Sequence, residues 1–170
     1  MPVAEIIARR RSIRAYQPEA PVSDEQLHNL LEAALLAPSA CNMRPCEFIV
    51  VRDRGKLDAI VQAHPYAGML KTATLAIIVI GNTNIHNDIS AGYLFQDCAA
   101  ATENILLQAV SEGLGSCWCG VYPTEDKVAA ISELFALPEN LVPFNIIAIG
   151  VPAEADGSRG FYEEEKVRWE

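Results

Sequence analysis

The densest chemical signal in the chain is Arg9-Arg10-Arg11-Ser12-Ile13-Arg14, four guanidinium groups and a hydroxyl within six positions. Guanidinium forks match phosphate oxygens in two-point contact and a serine hydroxyl adds a neutral donor, so Arg10, Arg11, Ser12 and Arg14 could form a phosphate site. The same residues fall at the C-terminal end of a short helical pattern, where each cation complements the helix dipole by about 0.3–1 kcal/mol. Taken alone, the segment leaves both readings open. The background is acidic, with a formal net charge of -9. A local basic cluster in that setting suits a small anion, and a sequence-independent hold on nucleic acid is disfavoured.

Two other segments could touch a ligand. Ala37-Pro38-Ser39-Ala40-Cys41-Asn42-Met43-Arg44-Pro45 is a loop of small and amide residues, in which Pro38, Ser39, Ala40 and Asn42 could present backbone and side-chain groups to heteroatoms, or could be an ordinary connector with an Asn turn. In Gly113-Leu114-Gly115-Ser116-Cys117-Trp118-Cys119-Gly120 the glycines permit close backbone approach and Trp118 offers a flat surface. A helix cap followed by a buried strand explains the same glycines.

The familiar catalytic sets are missing. His28, His64 and His86 have no paired ligand spacing, and Cys117 and Cys119 read as buried strand residues, so no metal site is expected. No Gly-x-Gly-x-x-Gly follows a strand and no Walker loop is present, which disfavours a Rossmann dinucleotide or a P-loop nucleotide. No cysteine has a defensible base beside it, and no side chain is nominated as catalytic.

These segments need elements to hold them. Val3, Ile6 and Ile7 give a short first helix a sticky face. Ser23 and Gln26 form a capping box before Leu27, Leu30, Leu31, Ala34 and Leu35 at helical spacing. Strands are expected at 47–51, 75–80, 116–122 and 145–150, and further helices after Asp53, over 90–112, and after Thr124. Residues 151–170 read as an acidic tail that must lie on something, either its own body or a partner subunit. The order fits an α+β or mixed layered domain spanning 1–170. The start of the chain shows no secretory signal and the apolar run at 73–81 is less than half the ~20 residues a membrane helix needs, so a cytoplasmic protein with free thiols is expected.

Together and in this order, these segments resemble the nitroreductase family of FMN-dependent oxidoreductases. Arg10, Arg11, Ser12 and Arg14 match its opening Arg-Arg-Ser-x-Arg motif, and Ala37, Pro38, Ser39, Asn42 and Pro45 match its second block. Gly113 to Ser116 match its Gly-Leu-Gly-Ser, and Ile149, Gly150, Pro152 and Arg159 match its closing Ile-Gly-x-Pro with a downstream arginine. The resemblance implies an α+β fold with a central mixed or antiparallel sheet of four to five strands, and an intertwined homodimer whose arms, residues 151–170, pack on the partner. It implies FMN as cofactor, NADH or NADPH as co-substrate, and a nitroaromatic, quinone or similar small molecule as acceptor, with no nucleic acid or membrane involved. Arg10, Ser12, Arg14 and Arg159 would hold the phosphate and ribityl end, Arg11 the polar edge of the flavin, and Pro38, Ser39, Ala40 and Asn42 would come from the other subunit. The backbone of Cys117, Trp118, Cys119 and Gly120 would pass the ring, with an amide near N5. Flavin binding without turnover, and dehalogenating or flavin-cleaving activity on the same fold, are the alternatives. Arg44 and Cys46 depart from the family's Gln and Trp.

Overall fold

The computed structural model describes residues 1–154 and 160–170. In chain order the regular elements are α1 (Val3–Arg9), α2 (Asp24–Leu35), β1 (Cys46–Val51), α3 (Arg54–Ala63), β2 (Leu75–Asn82), α4 (Leu94–Ser111), β3 (Gly115–Gly120), α5 (Glu125–Leu134) and β4 (Leu141–Gly150). The four strands form one antiparallel sheet in the order β1-β2-β4-β3. Local chemistry sets several boundaries. Ser23 accepts from the Gln26 backbone while the Gln26 side chain accepts from the Ser23 N–H, closing the capping box on α2, and Asp53 caps α3 through the Lys56 N–H. Thr124 precedes α5 without a side-chain cap, contrary to the sequence expectation.

Helices cover both faces of the sheet. Leu75, Ile77 and Val79 of β2 pack with Leu30 of α2 and Cys98, Ile105 and Ala109 of α4, while Ala76, Ile78 and Ile80 meet Leu57 and Ile60 of α3 and Ile131 of α5. The period-two alternation of β2 therefore buries both its faces. Each fully buried aliphatic side chain contributes about 1.5–3 kcal/mol relative to exposure.

Two boundaries differ from the sequence reading by four residues. The long helix begins at Leu94, not 90, because the Asn87 side chain accepts from the Ile89 and Ser90 N–H groups and Ser90 Oγ accepts from the Asn87 N–H. That local turn satisfies the backbone before the helix can. The last strand runs from Leu141, through Pro143. Proline has no N–H to give a ladder, and the β2–β4 register shifts at Val79/Ile80, where Ile80 faces Pro143. The irregularity accommodates the proline inside the sheet.

Candidate functional site

The arginine-rich segment leaves α1 and runs along the start of β3. Ser12 bridges to Ser116 in parallel, with the Ile13 N–H donating to Ser116 O at 2.9 Å, and Tyr16 bridges to Pro152. Two close approaches seat it. A Cβ on Gly115 would lie 2.8 Å from Ile13 Cγ2, and one on Gly150 would lie 3.0 Å from Tyr16 Cδ1. Ile13 and Tyr16 are buried there, and the Tyr16 hydroxyl donates to Ile13 O at 2.7 Å with Ala148 O at 3.2 Å. Burial pushes that phenol above its ordinary value. Gly113 has the other role: at φ 72° it ends α4, with Leu114 N–H donating to Ala109 O and Gly113 N–H to Val110 O. Of the two glycines that a helix cap might explain, only Gly113 is a cap.

Pinned this way, the segment separates two cavities. One, of about 310 Å³, is lined by Arg9, Arg11, Ser116 and Glu154; the other, of about 910 Å³, by Arg14, Lys71, Lys127 and residues 117–120. Arg11 Nε is buried with no hydrogen-bond partner among the described residues. A buried unsatisfied donor on a charged group costs about 1–3 kcal/mol or more, so this one fits a ligand acceptor. Arg10 pairs loosely with Glu103, Nε to Oε1 at 3.6 Å. Glu154 accepts from the Arg14 and Ala15 N–H groups at 2.5 and 3.3 Å, and those bonds, Arg14 first, hold its carboxyl below the usual carboxylate range.

The edge of β3 is open beside Arg14. Ser116 O is taken by Ile13 and Gly120 O by His64 Nε2 at 2.8 Å, so the main-chain groups of 116, 118 and 120 point away from β4 toward that edge. Donors of this kind can meet a ligand's ring heteroatoms. The Trp118 indole packs at 65° against Phe144, ring centroids 5.6 Å apart, so the strand offers its main chain to the cavity. Cys117 and Cys119 are buried. A hydrogen bond from Cys119 brings the Cys117 thiol down to about 7, with Arg14 and Ser12 contributing and burial opposing.

The second block is a tight, unusual loop. Cys41, Asn42 and Arg44 all have left-handed backbones, at φ 52°, 54° and 56°. Such conformations cost non-glycine residues about 1–3 kcal/mol each and gather at functional sites. The loop is held by Ala40 N–H to Asp97 Oδ1 at 3.0 Å, Arg44 N–H to Ser39 Oγ at 2.9 Å and Arg44 Nη2 to Leu35 O at 3.1 Å. Arg44 thus closes the loop onto the end of α2.

The loop and the arginine segment do not come together within one chain. The loop leads into β1 at one edge of the sheet, while the arginine segment lies along β3 at the other, three inter-strand steps or about 14 Å away. They also meet opposite sides of α4. Asp97 and Ala101 border the loop and Glu103 and Val110 border the arginine segment, and at 100° per residue those pairs are about 150° apart around the helix.

His64 was not anticipated as part of the site. It is buried, its Nδ1 accepts the Tyr66 N–H at 3.2 Å, and Nε2 must therefore carry the proton that goes to Gly120 O. Its partner lies 56 residues away in sequence, so no local pattern could reveal it. Arg159, expected to join the phosphate end, lies outside the described residues. Among the described residues no three potential ligands gather as a metal site, and no helix is long and apolar enough to cross a membrane.

A sequence model described as the Nitroreductase family matches residues 7–76 and 61–151. A protein of Methanothermobacter thermautotrophicus, provisionally named NADH dehydrogenase/NAD(P)H nitroreductase, is 45% identical over 170 residues, covering 100% of this chain and 87% of its own. A similarly named crystal structure from Bacteroides thetaiotaomicron is 40% identical with a TM-score of 0.92, over 98% of this chain and 96% of that one. A nitroreductase-like structure from Desulfovibrio desulfuricans, described as a complex with FMN, is 33% identical with a TM-score of 0.84, over 100% of this chain and 97% of that one.

Proposed function

The chain belongs to the nitroreductase family, and from that premise we propose that it is an FMN-dependent oxidoreductase that takes electrons from NADH or NADPH and gives them to a nitroaromatic, quinone or similarly electron-poor molecule. The observation that carries the reading is Arg11, whose Nε is buried and unpartnered, lining one cavity, while Arg14 of the same segment lines the next one beside the open main-chain edge of β3. A ligand with both an anionic tail and a planar, heteroatom-edged ring matches these donors. Arg10, Ser12 and Arg14, with Arg159 from the tail, would hold the phosphate and ribityl end. Arg11 would donate to the polar edge of the ring, and a main-chain amide of 117–120 would lie near N5.

Bound FMN supplies the two-electron chemistry. The protein's residues orient and screen. His64 fixes the Gly120 carbonyl so that the end of β3 cannot turn, and Glu154 holds the Arg14 backbone in line. Nicotinamide and acceptor enter by the same open mouth in turn, which corresponds to ping-pong kinetics.

The distance between the two halves of the site within one chain supports a homodimer in which Pro38, Ser39, Ala40 and Asn42 complete the partner's site. Phe161, Tyr162 and Trp169 of the terminal arm are more than two-thirds exposed in the single chain. Aromatic area of that size suits an arm laid on a second subunit.

The purified protein is expected to show visible flavin bands that bleach with NADH or NADPH under anaerobic conditions and return on adding a quinone. Bands that no nicotinamide bleaches would reduce the protein to a passive flavin carrier. A colourless protein that takes up no added FMN would end the reading. Arg11→Met is expected to weaken FMN binding roughly ten- to a hundredfold, about 1.5–3 kcal/mol for a hydrogen bond to a charged group, while the flavin-free melting temperature stays level or rises. A lowered melting temperature with unchanged FMN affinity would make Arg11 structural instead.

A further inference from the structure

Away from the arginine segment, Cys46 opens β1 and Cys98 lies in the second turn of α4, with their Sγ atoms 3.6 Å apart. We propose that Cys46 and Cys98 are a peroxide-sensitive dithiol that closes reversibly into a disulfide, tying the start of β1 to α4 beside the strained loop. A disulfide needs about 2.05 Å between sulfurs, so the two must approach by about 1.5 Å.

The environments of the two thiols divide the work. Cys46 is half-buried and lines a small cavity with Ser39, Arg44 and Asp97, where a molecule the size of hydrogen peroxide can reach it. Cys98 is fully buried and meets oxidant only through its neighbour. The hydrogen bond shared between the two thiols holds Cys46 below its ordinary value against the effect of burial, and the same bond together with burial pushes Cys98 up. Thiolate character and access select which sulfur reacts first.

The Cys46 thiolate attacks one peroxide oxygen, the O–O bond breaks, and the departing hydroxide takes a proton to become water. Cys46 is left as a sulfenic acid. The Cys98 sulfur then attacks the Cys46 sulfur, the S–O bond breaks, and the hydroxide that leaves takes the Cys98 proton as a second water. The two thiols have lost two electrons and two protons, and the peroxide has accepted them. Among the other cysteines, Cys119 contacts Met69 Sδ at 3.5 Å and Tyr66 O at 3.6 Å. Cys41 is exposed on the loop.

The new bond would form one residue from Asp97, the side chain that holds Ala40, and one residue after Pro45, where the loop ends. Oxidation would therefore act on the half of the site assigned to the partner's flavin. The disulfide itself does not rest on that assignment, because its detection needs no flavin.

The test is hydrogen peroxide treatment of the purified full-length protein, alkylation under denaturing conditions, and peptide mapping. Two of the five cysteines are expected to become unreactive to alkylation, recovered as one Cys46–Cys98 linked peptide that dithiothreitol separates. Cys98→Ser should trap Cys46 as a dimedone-reactive sulfenic acid, and Cys46→Ser should leave Cys98 alkylated. Five alkylated cysteines after peroxide, a link between Cys117 and Cys119 instead, or Cys46 overoxidised with Cys98 still free would each overturn the proposal.

Discussion

Gly115→Val is expected to give a folded protein that no longer retains flavin. Any Cβ at this position would meet Ile13 Cγ2 at 2.8 Å and Ile13 Cβ at 3.0 Å, and the second contact is not the flexible end of a side chain. The strand cannot retreat, because Gly115 is paired with Gly150 of β4. Ile13 must therefore withdraw, breaking its bond to Ser116 O and carrying Arg11, Ser12 and Arg14 out of position. Overpacking of this kind costs about 1–3 kcal/mol of stability, which the sheet and its two helical layers can absorb. The site cannot, and FMN affinity should fall at least a hundredfold, about 2.7 kcal/mol, read by fluorescence titration alongside circular dichroism. Gly113→Ala is the control. Its methyl would meet nothing, but its φ of 72° suits glycine, so it should lose about 1 kcal/mol of stability and keep the flavin. Adding Ile13→Ala to Gly115→Val should restore part of the affinity by making room. Retention of FMN at the original affinity by Gly115→Val would show that the segment's seat has no bearing on the site.

Truncation after Pro152 is expected to abolish flavin and dimer together. The cut removes Ala153, whose N–H donates to Ala15 O, and Glu154, which holds the Arg14 and Ala15 backbone. It also removes Arg159 and the exposed aromatics of the arm. Sedimentation should find a monomer, and the spectrum no flavin. Glu154→Ala separates the two effects: it should weaken FMN binding through the loosened Arg14 segment and leave the dimer whole. A truncated protein that is stable, yellow and dimeric would refute both the arm and the shared site.

Elements with their own local signal were legible in the sequence. The capping box at Ser23 and Gln26, the Asp53 cap and the β-branched run of β2 all appear where their patterns place them. The start of α4 was obscured because Asn87 and Ser90 form a turn that helical periodicity cannot register. Pro143 lay outside the strand expected at 145–150 because a proline inside a sheet depends on an irregularity in another strand, β2. In the site, the motif residues marked the segments but not their reasons. Gly115 and Gly150 serve as seats for Ile13 and Tyr16, a relation between residues about a hundred or more positions apart. Cys46, a departure from the family pattern, found its partner in Cys98 on a distant helix. The bonds from His64 to Gly120 and from Arg14 to Glu154 are likewise long-range, and periodicity carries no information about them.

If two chains share each site as proposed, the placement of the arginine segment and the strained loop on opposite sides of α4 has a genetic meaning. A lesion in the first half and a lesion in the second, carried by different copies of the gene, need not add up. A mixed dimer concentrates both defects in one site and leaves the other built entirely from sound parts. Two alleles that are each inactive alone would complement each other, and the restored activity would count mixed dimers, one working site apiece.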